Sequence, residues 1–363
     1  QSRSSAASDV YKRQEIGYTS KFPKWAIAYK FPAIVKQTKL NSIEVTVGRT
    51  GKINYIANLD PVPLEGSIVQ KATLHNFEYI YDKNILINDI VEIYKAGDVI
   101  PKIIRPIKES RTGNEIEFLE PRNCPSCKSS LSKKDDEVDL YCLNENCEEK
   151  IIQQIQYFGS RDAMNIEGLS ISIIRKLYEN NIIKNAIDLY YLDSKKDELF
   201  SIKQKVTRTN DDGEKKEFER SLFKDKSFAN VMRGIESSKK NSMEKFLTAL
   251  GIKHVGLSVA KSLSKRFKSI QDLSLATKEE IEQVGDTGEK ISESIIKWFS
   301  EDKNQNLLWK AQKVGINFNY INEYSDAVID QDYHIYMNKT FVITGSFKKS
   351  RKEITDYIES VFD

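Results

Sequence analysis

Residues 42–62, SIEVTVGRTGKINYIANLDPV, read as two strands of alternating apolar and polar residues joined by a tight turn at Arg49-Thr50-Gly51. β-branched residues dominate both runs, and a second turn signal falls at Asp60-Pro61. Downstream, IVEIY and VIPKIIRPI give two more short strands separated by Lys95-Ala96-Gly97-Asp98. Short strands at this spacing predict a small β-barrel of about five strands. From Lys21 to Lys52 this region holds seven basic residues (Lys21, Lys24, Lys30, Lys36, Lys39, Arg49, Lys52) against one acid, Glu44, a local charge of +6.

The whole chain has 363 residues with 56 Lys+Arg and 53 Asp+Glu, so that basic stretch is hidden in a net charge of only +3. A nucleic-acid surface therefore has to come from local patches. The length suggests two or three domains, and the mean hydropathy of −0.51 suits several small modules better than one globule. Apolar runs fall far short of the roughly 18 residues that a membrane span requires. No signal peptide is visible, and these features leave a soluble, modular, intracellular protein with no membrane partner. The Ser/Ala-rich start, residues 1–14, reads as a non-native or disordered extension.

All four cysteines lie in one window with the spacing C-x2-C-x14-C-x4-C: Cys124, Cys127, Cys142 and Cys147. Two knuckles joined by a short hairpin supply the four thiolates of a tetrahedral zinc site. A disulfide pair suits an exported module, and a redox CxxC suits a thioredoxin-like context; neither is indicated here. With every ligand taken from the protein the site is closed, so its zinc is structural.

Beyond Cys147 the pattern becomes a succession of short amphipathic helices with glycine-containing turns. Three turns recur: Asn165-Ile166-Glu167-Gly168-Leu169-Ser170, Gly251-Ile252-Lys253-His254-Val255-Gly256 and Val284-Gly285-Asp286-Thr287-Gly288. A glycine turn that opens a helix leaves backbone N–H groups to face a phosphate, which is the physics of the helix-hairpin-helix module. Gly168, Gly256 and Gly288 are the candidate DNA-binding positions. His254 reads as a packed or capping histidine. The charged stretch KQKVTRTNDDGEKKEFER reads as an exposed loop, and Tyr320–Tyr333 as a polar linker. The last stretch, NKTFVITGSF followed by SRKEITDYIESVF, reads as one buried-type strand and the start of a helix.

The string Lys24-Trp25-Ala26-Ile27-Ala28-Tyr29-Lys30-Phe31-Pro32-Ala33 resembles the last nucleotidyltransferase motif of the bacterial NAD-dependent DNA ligases. The resemblance runs on through Val47–Gly51, Leu59–Val62, Ala72–Asn76 and Ala96–Pro101. It implies a multidomain α+β protein in the family's order. Residues 15–33 would end the adenylation domain, 34–115 form an OB-fold β-barrel and 116–150 a four-cysteine zinc finger. An all-α tandem helix-hairpin-helix domain would occupy 151–318, a linker 319–334 and a truncated α/β BRCT start 335–363. The family seals 3′-hydroxyl/5′-phosphate nicks in duplex DNA through enzyme-adenylate and DNA-adenylate intermediates, using NAD and Mg2+ or Mn2+. By the resemblance Lys30 contacts the adenylate phosphate, and Arg49, Thr50 and Gly51 meet the DNA backbone. The partner implied is nicked duplex DNA, bound by a monomer in the bacterial cytoplasm at the nucleoid.

The chain departs from the family in several places. Its nucleophilic lysine lies in a K-x-D-G motif, and no K-x-D-G occurs in these 363 residues. The domain that captures the nicotinamide half is missing too, so the resemblance implies an internal stretch of a longer enzyme with no catalytic residue of its own. The second hairpin position, Leu222–Ser227, lacks the expected glycines, and Ser170 stands where glycine is usual. Serine adopts positive φ less readily than glycine, so less DNA contact is expected at both. The competing reading is a non-catalytic DNA-binding scaffold of OB, zinc and helix-hairpin-helix modules, which would have no use for Lys30 in its aromatic string. A repair nuclease subunit would show an acidic metal cluster, which the sequence does not display.

Overall fold

A computed structural model of the chain describes residues 12–17, 22–27, 32–97, 99–134, 137–209, 215–321, 341, 343 and 349–362. It divides into two compact units. One holds the barrel, the finger and the helices that follow; the other holds most of the later helices.

The barrel comprises β1 (Lys36–Val47), β2 (Ile53–Leu64), β3 (Ser67–Thr73), α1 (Phe77–Asp82), β4 (Ile90–Ala96) and β5 (Ile100–Pro106). Its closed strand order is β1-β2-β3-β5-β4, the five strands expected. In β2 the alternation puts Ile53, Tyr55, Ala57 and Leu59 inside, as a half-buried strand requires. β1 bends at an irregularity between Leu40 and Ser42, so its first four residues pair with β4 and the rest with β2. One long bent strand shared by two neighbours is how a small sheet closes on itself.

Asp60-Pro61 is not the turn that the sequence predicts. It lies inside β2, where the register with β3 slips between Asn58 and Val62. A proline with no N–H to donate is tolerated at such a bulge. The turn comes later, at Glu65-Gly66, where both residues have positive φ and Leu64 faces Ser67, the geometry of a two-residue hairpin.

The barrel has one thin seam. β3 and β5 share a single parallel pair, Thr73 with Lys102. α1 bridges the gap: its Tyr79 hydroxyl donates to the Ile103 carbonyl on β5, and Asn76 caps its first turn by accepting from Tyr79 N. On the other side Asp89, almost wholly buried, accepts two hydrogen bonds from Arg111 (2.8 and 2.9 Å) and one from Leu86 N. That pair clasps the chain leaving β5 onto the loop before β4.

The finger hairpin is β6 (Leu131–Lys133) with β7 (Leu140–Cys142). α2 (Glu148–Phe158) starts at the residue after Cys147, and α3 (Ile171–Glu179) is joined to it by a two-pronged Arg175–Glu149 ion pair. A 3-10 segment (Ala186–Lys195) and α4 (Lys196–Ser201) follow.

The charged stretch expected as a loop is instead a two-stranded ribbon, β8 (Lys203–Thr209) with β9 (Lys215–Ser221). Its period-2 signal was masked by charge: the only apolar residues in the two strands, Val206 and Phe218, stand opposite each other across the pair.

In the second unit the elements are α5 (Asp225–Ser238), α6 (Met243–Ala249), α7 (Leu257–Phe267), α8 (Ile270–Leu275), α9 (Lys278–Glu282), α10 (Glu289–Ser300) and α11 (Asp302–Lys313). Phe246, fully buried, stacks on Phe318 (5.1 Å, 17°) and meets the edge of Phe158. The stretch expected as a linker from residue 319 begins docked: Met243 N donates to Asn319 O, Tyr320 N to Lys268 O and Ile321 N to the Ser242 hydroxyl. The predicted strand near residue 341 lies outside the described residues for the most part. The helix after it is α12 (Arg351–Phe362), opened by a reciprocal Ser350/Glu353 cap. No helix among the described residues is long and apolar enough to cross a membrane.

Removing one partner of a buried, hydrogen-bonded ion pair strands the other charge. Arg111→Ala is therefore expected to destabilise the barrel by on the order of 3 kcal/mol, read as a lower denaturation midpoint in urea.

Candidate metal centre and nucleic-acid interface

The four cysteine sulphurs converge. All lie within 4.8 Å of one another, with Cys124 Sγ 3.8 Å from Cys147 Sγ and Cys127 Sγ 3.5 Å from Cys142 Sγ. A tetrahedron with zinc–sulphur bonds of about 2.3 Å has sulphur–sulphur edges of about 3.8 Å, so the set fits a zinc ion. The distances are too long for disulfides, and all four residues are free thiols.

Two local devices build the site. In the first knuckle Lys128 takes positive φ and returns its N–H to Cys124 O, while Cys124 N donates to Ser129 O. In the second, Cys142 ends β7 and Cys147 opens α2 through Ile151 N–H to Cys147 O. Burial pushes the Cys142 thiol up to about 12. Burial also works to raise Cys127, but hydrogen bonding from Ser129 and Asn144 outweighs it and holds that thiol at about 6. Thiolates this close repel one another, and a bound cation offsets that repulsion. The Lys150 ammonium, nearly buried, adds one charge beside the site, donating to Asn144 O (2.9 Å) and Cys142 O (3.4 Å).

The finger and the barrel form one body. Cys124, Leu140, Cys142 and Cys147 belong to the same buried cluster as Leu40, Val47, Ile53 and Tyr55. The β1–β2 turn docks on the finger: Cys142 N donates to Gly51 O at 2.9 Å, Lys52 bridges to Tyr141 through the backbone, and its ammonium pairs with Asp139. Arg49 lays its guanidinium 3.9 Å from the ring centre of Tyr157 on α2.

Residues 37–115 match the NAD-dependent DNA ligase OB-fold domain, residues 123–148 the NAD-dependent DNA ligase C4 zinc finger domain, and residues 245–308 the helix-hairpin-helix motif. The chain is 71% identical over 355 residues to a DNA ligase of Malacoplasma penetrans (strain HF-2), a match covering 98% of the chain and 51% of that protein. It is 47% identical over 358 residues to a DNA ligase of Ureaplasma urealyticum serovar 10 (98% and 50%) and 40% identical over 355 residues to one of Anoxybacillus flavithermus (97% and 49%). Its OB-fold and zinc-finger domains are those of the NAD-dependent DNA ligases. The chain spans about half the length of the curated relatives it matches.

The expected ligase residues fall in different places. Lys30 lies outside the described residues. Gly51 is buried at the barrel–finger junction with φ +86°, and Thr50 beside it is exposed. Of the seven basic residues behind the +6 charge, Lys52 is paired with Asp139 and Arg49 is on Tyr157, while Lys24, Lys36 and Lys39 are exposed.

The hairpins share a geometry that the glycines alone do not reveal. Ser170, Gly256 and Gly288 each cap a helix, α3, α7 and α10, with φ of −77°, −100° and −119°. The left-handed residue lies two positions earlier, at Gly168, His254 and Asp286 (φ +85°, +67° and +66°). The expectation that Ser170 suffers from needing positive φ is therefore corrected: the cap position is extended, and any residue adopts it. Serine instead turns its hydroxyl onto the amide of Ile173, occupying a donor that a ligand would otherwise use. Glycine at 256 and 288 gives no side-chain cap, and nothing lies within 4 Å of where a Cβ would be. The degenerate second position follows the β9 strand; Leu222 and Phe223 are buried, and Lys224 and Ser227 cap α5.

The two glycine-capped hairpins differ in charge. Residues 250–268 carry Lys253, Lys261, Lys265, Arg266 and Lys268 with no acid, +5, and all five are exposed. Residues 278–293 carry Lys278 and Lys290 against Glu279, Glu280, Glu282, Asp286, Glu289 and Glu293, −4. Lys278 sits 3.0 Å from both Glu289 and Glu293, tying α9 to α10 and raising its own pKa.

The metal reading is checked by composition. One zinc per chain is expected by atomic absorption, and Cys142→Ser should abolish retention of that zinc through gel filtration while the barrel keeps its β-sheet circular dichroism.

Proposed function

We propose that this chain is the DNA-gripping middle of an NAD-dependent DNA ligase, an enzyme that seals 3′-hydroxyl/5′-phosphate nicks through enzyme-adenylate and DNA-adenylate intermediates in replication and repair. The observation carrying this reading is the pairing of a ligase-type OB barrel and C4 finger in one chain, docked through the same turn that holds Arg49. The barrel turn and hairpins supply positive charge and backbone N–H groups, which hold phosphates without reading bases. Lys30 would meet the adenylate phosphate, where its charge favours the crowded anionic transition state. Mg2+ or Mn2+ would offset the phosphate charge in those steps, and zinc stays structural. The ligase works as a monomer in the bacterial cytoplasm.

The +5 hairpin at Gly256 is the principal phosphate grip of the helical unit, and the −4 hairpin at Gly288 contributes less. Binding to nicked duplex should weaken linearly in log K against log salt, with a slope of about −0.9 per phosphate neutralised. Lys261→Glu is expected to weaken binding and reduce that slope by about 1, whereas Lys290→Glu changes it little. Fluorescence anisotropy across a salt series gives both numbers; equal losses at the two sites would sink the assignment.

A second test concerns chemistry. Incubation of these 363 residues with radiolabelled NAD and Mg2+ should leave no covalent label, because no K-x-D-G lysine is present to attack NAD. A labelled band would refute this.

A further inference from the structure

Arg49 and Gly51 belong to the turn between β1 and β2, which is seated on the finger. Its internal hydrogen bonds are local, Gly48 N to Lys52 O (2.8 Å) and Gly51 N to Gly48 O (2.9 Å). The turn also meets the finger through Lys52, which bridges to Tyr141 and pairs with Asp139, and two further contacts adjoin the metal set. At the first, Gly51 O receives the Cys142 N–H, and Gly51 packs so closely that a Cβ would stand 2.4 Å from Cys142 O and 3.4 Å from the Lys150 side chain. At the second, Arg49 lies on the face of Tyr157, in the last turn of the helix that starts after Cys147. Both anchor elements therefore leave the finger at a cysteine of the metal set: β7 ends on Cys142, and α2 begins next to Cys147.

We infer that zinc acts at a distance on the DNA-facing turn of the barrel, with Gly51 and Tyr157 as positioning residues. A metal bound to Cys142 and Cys147 fixes the angle between β7 and α2. That angle sets where the Gly51 carbonyl and the Arg49 guanidinium rest. Without the metal the two anchors separate, and the turn loses its seat while the barrel ladder keeps its own hydrogen bonds. Gly51 is required for a reason distinct from DNA contact: its φ of +86° and the Cys142 carbonyl leave no room for a side chain. The inference that this alters DNA affinity rests on the reading of Arg49 given above; the coupling itself does not.

Hydrogen exchange with mass spectrometry on the full 363-residue chain separates the two. In the zinc-loaded protein, peptides covering residues 47–53 and 140–143 should be protected. Chelation should speed exchange there at least tenfold and leave the β4–β5 peptides, residues 90–106, unchanged. Gly51→Ala should retain one zinc yet show the same loss of protection in the turn. Tyr157→Leu, which leaves the thiols and the backbone contact intact, should loosen only residues 47–53 and serves where Gly51→Ala does not fold. Protection of the turn that survives chelation, or a turn unchanged in Tyr157→Leu, overturns the coupling. In the DNA arm, Gly51→Ala or Tyr157→Leu should lower affinity for nicked duplex by the same factor as Arg49→Ala. If exchange responds as expected but neither variant nor Arg49→Ala changes DNA binding, the role given to Arg49 fails and the coupling stands.

Discussion

Four sulphurs held within 4.8 Å of one another are the constraint on which the finger turns. As thiolates they repel, and a cation at their centre offsets that repulsion. The finger's own sheet is small, two three-residue strands. What the finger does have is continuity with the barrel core, so the metal's organising effect extends into a larger body than the finger itself.

The helical unit is organised by a different physics. Its caps at Gly256 and Gly288 offer helix N-termini with no side chain in the way, and backbone dipoles there favour an anion. Geometry makes these two positions equivalent, whereas charge does not. A surface of +5 attracts a polyanion that a surface of −4 repels, so the same local fold serves unequal ends. At Ser170 a hydroxyl fills the position that glycine leaves open and takes up one amide, that of Ile173.

Much of this was legible in the chain itself. Four of the five barrel strands followed from alternation and β-branched content, while β3 (Ser67–Thr73) was not read, and the cysteine cluster followed from its spacing. The errors share a cause. Asp60-Pro61 reads as a turn by composition, but a bulge tolerates proline equally well, and the choice depends on pairing with β3. The β8–β9 ribbon was hidden because charged strands lack the apolar alternation that marks a half-buried sheet. Ser170 was misjudged since the left-handed residue of each hairpin sits two positions ahead of the cap, where His254 and Asp286 accept a conformation usually assigned to glycine. Gly51 carried no cue that its partner would be Cys142, which lies 91 residues further along the chain.

The single Thr73–Lys102 pair between β3 and β5 gives the barrel an uneven hoop stiffness. Four of its strand boundaries are stitched by ladders; the fifth is bridged mainly by a short helix whose tyrosine reaches across. The seam has the fewest backbone bonds to hold it shut, whereas the β1–β2 edge, where the finger is seated, carries a long ladder.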